Sequence, residues 1–505
     1  LPKLRLTNGY ILLSSRLKQR TLHGMQKRST SAFTPAAVEE ILLGHFGFLP
    51  TPSQEKLVKA LSRFVISDKP NCLLVVKGYA GTGKTTMVNS LVKTLHDIGL
   101  RHVLLAPTGR AAKVLGNYSG QRAYTIHKKI YFQNKTRDGK PFFAPAQNLH
   151  RNTIFVVDEA SMIGWDTYTG PMGGNLLLDL FEYVYNGQNC RLVLIGDGAQ
   201  LPPVGSPLSP ALDLTFLQSQ FTVTAASCEL TDVMRQKDDS GILSLATAVR
   251  DAMAKPPAES LPFVAPATHD VALINGMELQ DHLEAAFATA GEEGAMLITR
   301  SNKRANLFNK EVRARVLFRE DDINAGDLIM VVKNNYHWLG PESKAGFIAN
   351  GDVLEVLRLG RRENRFGFNF VNATVRMIDY PDEPDTEVML WLNAIDTEGP
   401  SMSAADQNTL YAGVLESYAD LKTKEERRKA LRSDPFYNAL QIKFAYAVTC
   451  HKAQGGQWPI VFVDQGYMTD EMLDIEYLRW LYTAITRARE KLFLLNFSDA
   501  VFEQE

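Results

Sequence analysis

The sequence predicts an α/β fold with two parallel-sheet halves, and three observations predict it. Short, continuous apolar runs alternate with helical stretches between residues 71 and 197. A second set of such runs spans 295 to 495. The first run, NCLLVVK, leads into a glycine-rich turn, GYAGTGKTT (78–86). Runs that are apolar at every position, not at alternate ones, belong to strands buried on both faces, as in a parallel sheet covered by helices.

Taken in order, the first 34 residues carry seven Lys or Arg and no Asp or Glu. This basic stretch is expected to be a disordered tail, or upstream residues if the natural start is Met25. The strands expected in the first half are LLVV (73–76), HVLLA (102–106), TIFVV (153–157) and RLVLI (191–195). Those of the second half are AMLIT (295–299), FAYAVT (444–449), PIVFVD (459–464) and KLFLL (491–495). Two segments interrupt the pattern. In 118–152, two aromatic runs flank Asp138-Gly139, a hairpin signal. The hairpin offers Tyr131, Phe132, Phe142 and Phe143 for stacking. Lys128, Lys129, Lys135, Arg137 and Lys140 form a local basic patch there. In 351–439, DVLEVLR, FGFNFVNATVRM and EVMLWLN alternate like a small antiparallel barrel, and a charged helix, TKEERRKAL, follows. The GPMGG segment (170–174) reads as an inserted loop.

Composition narrows the function classes. The chain of 505 residues is 45% hydrophobic and 22% charged, which allows a sizeable core. A net charge of -1 excludes a global basic signature, so any nucleic-acid surface must be local. Cys72, Cys190, Cys228 and Cys450 are scattered without a CxxC pair. That pattern argues against a zinc site or a disulfide framework and suits a reducing cytoplasm. No apolar run reaches the roughly 18 residues of a membrane span.

The residues that carry chemistry begin with Gly78–Thr85, which fit GxxxxGK[ST] after a strand. Glycines let backbone N–H groups approach phosphates, and the helix N-terminus favours their charge. The expected contacts of a nucleotide are Gly78, Ala80, Gly81, Thr82, Gly83, Lys84, Thr85 and Thr86, with Mg²⁺ on Thr85 and Asp158. VVDEAS (156–161) ends a strand in Asp158 and Glu159, one carboxylate for the metal and one to take a proton from water. An Asp-Glu pair favours hydrolysis over transfer to another substrate. GDGAQLPPVG (196–205) sets Gln200 beyond another strand, where an amide can sense a terminal phosphate.

Together these motifs resemble the superfamily 1 helicases of the 5′→3′, RecD/Dda-like branch, in order across nearly the whole chain after residue 50. PTPSQEKLV resembles the segment whose glutamine, here Gln54, reads adenine. APTGRAAKVL (106–115) and TIHKKI (125–130) resemble strand-binding motifs, and CELTDVMRQ (228–236) carries Arg235 as a phosphate-reaching arginine. ITRSNKRANLFN (298–309), GDLIMVVKNNY (326–336), NGD (350–352), AYAVTCHKAQGGQW (445–458) and LYTAITRAREKL (481–492) complete the match, the last with Arg487.

The resemblance implies two RecA-like domains, 35–117 with 153–235 and 236–350 with 440–505. It implies a pin inserted at 118–152 and an SH3-like barrel at 351–439 with a helical extension. It implies Lys84, Asp158, Glu159, Gln200, Arg235 and Arg487 as catalytic residues. Pro107, Thr108, Thr125, His127, Phe132, Phe142, Asn335, Thr449 and His451 are the implied DNA contacts. The implied function is an ATP-dependent helicase on single-stranded and forked duplex DNA, serving repair, recombination or replication. The polarity, 5′→3′, comes from the resemblance alone. The protein is expected to be a cytoplasmic monomer of bacterial or phage type, with no membrane contact. Single-strand-binding and replication or repair proteins are candidate partners. Two other readings stay open: an accessory translocase subunit of a nuclease complex, and a single-strand-binding protein with a decayed ATPase.

Overall fold

The computed structural model describes residues 33–135, 141–165, 174–233, 240–254, 263–264, 268–340, 342–343, 345–399, 401–498 and 501–503. The basic stretch before residue 33, Arg235, residues 136–140 of the hairpin and 166–173 around the inserted loop lie outside them.

The first half holds β1 (Cys72–Gly78), β2 (Arg101–Ala106), β3 (Ala123–Thr125), the hairpin β4 (Tyr131–Lys135) and β5 (Pro141–Pro145), β6 (Thr153–Val157), β7 (Arg191–Gly196) and β8 (Thr224–Leu230). Six of them form one parallel sheet in the order β3-β2-β6-β7-β1-β8. Its strands are apolar throughout because both faces are covered. Leu73 and Val75 point into one core with Phe155, Val157, Leu192 and Leu194. Leu74 and Val76 point into the other with Ile154, Val156, Val193 and Ile195.

The second half adds β9 (Phe263–Val264), β10 (Val271–Ile274), β11 (Ala295–Thr299), β12 (Leu328–Val331), β13 (Val353–Arg365), β14 (Phe368–Met377), β15 (Thr386–Trp391), β16 (Leu440–Phe444), β17 (Ala447–Thr449), β18 (Trp458–Asp464), β19 (Ala488–Leu495) and β20 (Phe502–Glu503). A parallel sheet runs β10-β19-β18-β11-β17, and β12 to β16 close into a barrel.

Four differences from the sequence reading have physical causes. FAYAVT is not one strand. Phe444 ends barrel strand β16, where Ala445 N–H bonds Leu328 O (2.9 Å). Tyr446 O then accepts Leu297 N–H of the second sheet (3.0 Å). The chain changes sheets there because the barrel needs a fifth strand to close. The barrel accordingly reaches beyond 351–439 at both ends, and its β15–β16 pairing is parallel. Segment 118–152 is not all insertion, since β3 within it extends the first sheet. Finally, β8 escaped notice because it is an edge strand paired only with β1, so most of its side chains meet water.

The helices Ala404–Glu416 and Lys424–Ser433 give the 400–438 extension its own small core on the barrel, with Leu410, Val414 and Leu431 against Phe368, Phe370 and Trp391. Among the described residues, no helix is long and apolar enough to cross a membrane.

Candidate functional site

The phosphate loop joins β1 to the helix Lys84–Asp97. Gly81 and Gly83 take positive φ (75° and 86°), a conformation that costs glycine nothing. No side chain caps this helix, so its first N–H groups stay available to an anion. The loop is braced from within. Thr82, fully buried, donates its hydroxyl to Tyr79 O (2.8 Å). Gln54 donates to Thr82 O (3.0 Å) and accepts from Thr51 N–H (2.9 Å). Both ends of that buried amide make hydrogen bonds inside the protein, so Gln54 braces the phosphate loop in this structure.

Lys84 Nζ donates to Gly78 O (2.6 Å) and Tyr79 O (2.8 Å) and lies 3.6 Å from Asp197 Oδ2. Asp197 is buried, and its Oδ2 also accepts the Tyr482 hydroxyl (2.9 Å). The Tyr482 oxygen in turn accepts Ala80 N–H (2.8 Å). One chain of hydrogen bonds thus runs from the phosphate loop through the helix Ile475–Ile485 of the second lobe to the lysine's carboxylate partner.

At the end of β6, Asp158 Oδ1 accepts Glu159 N–H (2.9 Å) and Oδ2 accepts the Tyr118 hydroxyl (2.5 Å). Glu159 sits at φ 53°, a left-handed conformation rare outside glycine and typical of strain held at functional sites. Burial first, then Asp158, push its carboxyl above the ordinary range, while Arg487 and Lys84 pull it back. Arg487 is almost fully buried and is held by Thr483 O (3.0 Å), Gly456 O (3.2 Å) and Thr486 Oγ1 (3.1 Å). Gln200 is also buried, and its Oε1 accepts no hydrogen bond among the described residues.

These features fit a magnesium nucleotide. A hydroxyl at exposed Thr85 and the carboxylate of Asp158 are hard oxygen donors. Two cations, Lys84 and Arg487, lie within electrostatic reach of Glu159, and the buried Gln200 amide oxygen is unpartnered among the described residues.

The loop after β7 is clasped by the second lobe. Leu201 N–H bonds Thr483 Oγ1 (2.8 Å), Gln454 bonds Leu201 O (2.8 Å), and Arg479 bonds Gly198 O (2.7 Å). Asp197, Tyr482, Thr483 and Gln454 were missed as site residues, although each lies inside a motif quoted from the sequence. Tyr118 carried no signal at all.

On the expected DNA face, Thr108 caps the helix Gly109–Ser119 (3.2 Å to Ala111 N). Pro107 beside it is half-buried. Gly455, at φ 74°, packs so closely there that a Cβ would come within 2.8 Å of Ala111 and 3.5 Å of Thr108 Oγ1. The first- and second-lobe motifs therefore meet. Thr125 caps the helix Ile126–Ile130 (3.2 Å to Lys128 N). Burial drives the His127 imidazole down to about 4, so it is neutral at physiological pH. Thr449 ends β17 and His451 is exposed.

Several of the expected contact residues also make bonds within the protein. Asn335 donates to Asn438 O (2.8 Å) and accepts from His337 N–H (3.0 Å), which ties its segment to the barrel extension. Tyr131 donates its hydroxyl to Asp179 (2.5 Å), which anchors the base of the hairpin. Lys128 reaches across to Ala345 O. Phe132 is 47% exposed. The side chains of Phe142 and Phe143 lie outside the described residues.

Near this face the lobes are joined by Lys113–Asp379 (3.1 Å) and by Arg110 over Trp458 (4.0 Å). Asp352 is buried in the same seam. Its Oδ2 accepts Ala349 N–H (2.7 Å), and its Oδ1 has no partner among the described residues. Burial, reinforced by Asp379 and opposed by Lys113 and Lys128, pushes its carboxyl up to about 8. An unfolded Asp ionises near pH ~4. Between that pH and about 8 the unfolded chain has lost a proton that the folded chain keeps, so stability falls as pH rises. Asp352→Asn is therefore expected to raise the melting temperature more at pH 8 than at pH 5. An equal shift at both would mean that Asp352 ionises normally.

Comparison with known proteins adds relatives of this constellation. Residues 51–261 match the family model described as an AAA domain, and 444–495 match that of the UvrD-like helicase C-terminal domain. The chain is 25% identical over 425 residues to the ATP-dependent RecD2 DNA helicase of Deinococcus radiodurans, covering 83% of this chain and 46% of that one. It therefore spans about half the length of that relative. It is 25% identical over 447 residues to the ATP-dependent DNA helicase dda of Enterobacteria phage T4, covering 83% and 93%. Among solved structures, the Pif1 helicase from Bacteroides in complex with ADP-AlF3 and ssDNA aligns over 91% of this chain and 95% of that one, at 15% identity and a TM-score of 0.46.

Proposed function

We infer the function from one premise: this chain belongs to the superfamily 1 helicases of the RecD/Dda-like branch. It is an ATP-driven motor that moves along single-stranded DNA, 5′→3′, and separates the duplex ahead of it. The observation that carries this reading is the cleft itself. The Glu159 carboxyl of one lobe lies within electrostatic reach of Lys84 on the same lobe and of Arg487 on the other. Tyr482 bridges the lobes at the phosphate loop.

ATP is the substrate, cradled by Gly78, Ala80, Gly81, Thr82, Gly83 and Thr86. Thr85 and Asp158 are the residues that would hold Mg²⁺, which when bound neutralises phosphate charge. Lys84 leaves the Gly78 and Tyr79 carbonyls to meet the outer phosphates. Glu159 takes the proton of the attacking water, and Gln200 orients that water through its unpartnered oxygen. Arg487 donates across the cleft to the terminal phosphate, a task suited to a planar, permanently charged group. Arg235 is proposed for the same phosphate from the sequence alone. Loss of the phosphate removes the attraction and lets the lobes part.

The single strand lies over Pro107, Thr108, Thr125 and His127 on one lobe and Thr449 and His451 on the other. Hydroxyls and backbone groups there hold phosphates without reading sequence. Alternate grip by the two lobes converts each cycle into a step.

The hairpin β4–β5 is the wedge, and Phe132 stacks on the terminal base pair. Phe132→Ala is expected to lower the unwinding rate of forked DNA severalfold, with DNA-stimulated ATPase near wild type. Equal loss of both would assign the ring a packing role.

The experiment that tests the function is unwinding of duplexes tailed at only the 5′ or only the 3′ end. Opening of the 5′-tailed substrate alone supports the reading. Opening of neither, with ATPase intact, favours an accessory translocase.

A further inference from the structure

Tyr79, inside the phosphate loop, has no part in the nucleotide or DNA contacts above, yet its carbonyl, phenol and ring are all engaged. Its carbonyl accepts Lys84 Nζ (2.8 Å) and the Thr82 hydroxyl (2.8 Å). Its phenol donates to Glu229 on β8 (3.0 Å). The Arg250 guanidinium lies over its ring, 4.7 Å from the centroid. Arg250 belongs to the helix Gly241–Ala252 and is itself steadied by Asp251 (2.8 Å). Tyr79 and its neighbour Ala80 pack against the second lobe's core. Burial and Glu229 push the phenol's pKa up, so it remains a donor.

The helix that carries Arg250 touches the loop a second time. A Cβ on Gly81 would meet Leu243 Cδ2 at 2.9 Å. The same helix packs along Ile475–Ile485, just before Arg487. A continuous set of packed groups therefore joins the arginine helix to the carbonyl that holds Lys84.

We propose that Tyr79 is a positioning residue that couples the phosphate loop to lobe closure, with Arg250 and Glu229 as its holders on opposite sides of the cleft. This rests on the motor reading above. When Lys84 leaves the Tyr79 carbonyl for a phosphate, the loop shifts, and the ring transmits that shift to Arg250 and its helix. Movement of the arginine helix under DNA returns by the same route.

The test measures ATPase with and without oligo-dT, together with equilibrium binding of a fluorescent ADP analogue, in Arg250→Ala, Arg250→Lys, Tyr79→Phe and Glu229→Gln. In Arg250→Ala, turnover without DNA and ADP affinity are expected to stay within about twofold, while stimulation by DNA drops about fivefold or more. Tyr79→Phe and Glu229→Gln, which keep the ring under Arg250, lose less, and Arg250→Lys recovers part of the stimulation. Unchanged stimulation in Arg250→Ala overturns the coupling alone. So does a proportional fall of ADP affinity and unstimulated turnover, which would mean loop packing only. Absence of DNA-stimulated turnover in the unmodified protein overturns the motor reading and the coupling with it.

Discussion

Replacing Arg487 by alanine is expected to lower ATP turnover about 10³-fold or more, the range of an arginine that stabilises a transferring phosphoryl group. ATP affinity should fall far less, because the phosphate loop and Lys84 lie on the other lobe. The structure makes the expectation specific. Arg487 is buried at the cleft, and its charge reaches the Glu159 carboxyl. Its guanidinium rests on Thr483 O, Gly456 O and Thr486 Oγ1, which set its direction. Arg487→Lys should restore little, since an ammonium lacks the planar fork. Single-turnover hydrolysis with bound radiolabelled ATP is the measurement. A variant that hydrolyses at the wild-type rate would remove Arg487 from the chemistry.

Glu159→Gln is expected to slow hydrolysis by about 10²- to 10⁴-fold, the contribution of a positioned general base, while ATP stays bound. The glutamine keeps the size and the left-handed backbone position and removes the proton acceptor. The wild-type protein carries a companion signature. Burial and Asp158 raise the Glu159 carboxyl's pKa, so the base is lost to protonation at a higher pH than for an ordinary glutamate. Turnover should therefore rise with pH through a raised carboxylate limb, and that limb should vanish in Glu159→Gln. Rapid hydrolysis by this variant would transfer the role of base elsewhere.

Both experiments address residues named from the sequence, Glu159 by local signals and Arg487 only through the family resemblance. A phosphate loop is a contiguous motif, because successive backbone N–H groups wrap one ligand. Lys84, Asp158 and Glu159 each follow a strand whose unbroken apolarity marks it as buried. Residues that act through distant partners were less legible. Gln54 lies in a local capping box with Thr51, but only the folded chain shows its amide donating to Thr82 of the phosphate loop. Asn335 and Tyr131 were named from the sequence as DNA-facing, and only the folded chain shows their bonds to Asn438 and Asp179. Asp197 and Tyr482 showed nothing of their link, because their pairing spans 285 positions.

By itself the sequence determined the two parallel sheets, the pairing of the hairpin's two arms and the phosphate loop. Strand burial, turn chemistry and glycine conformation are all written in stretches of a few neighbouring residues. Only the tertiary structure decided where FAYAVT divides between barrel and sheet, and which lobe's groups clasp the loop after β7. It alone brought the charge of Arg487 within reach of the Glu159 carboxyl. Those outcomes depend on packing between segments hundreds of residues apart, where side-chain partners are chosen by shape and unsatisfied hydrogen bonds rather than by local pattern.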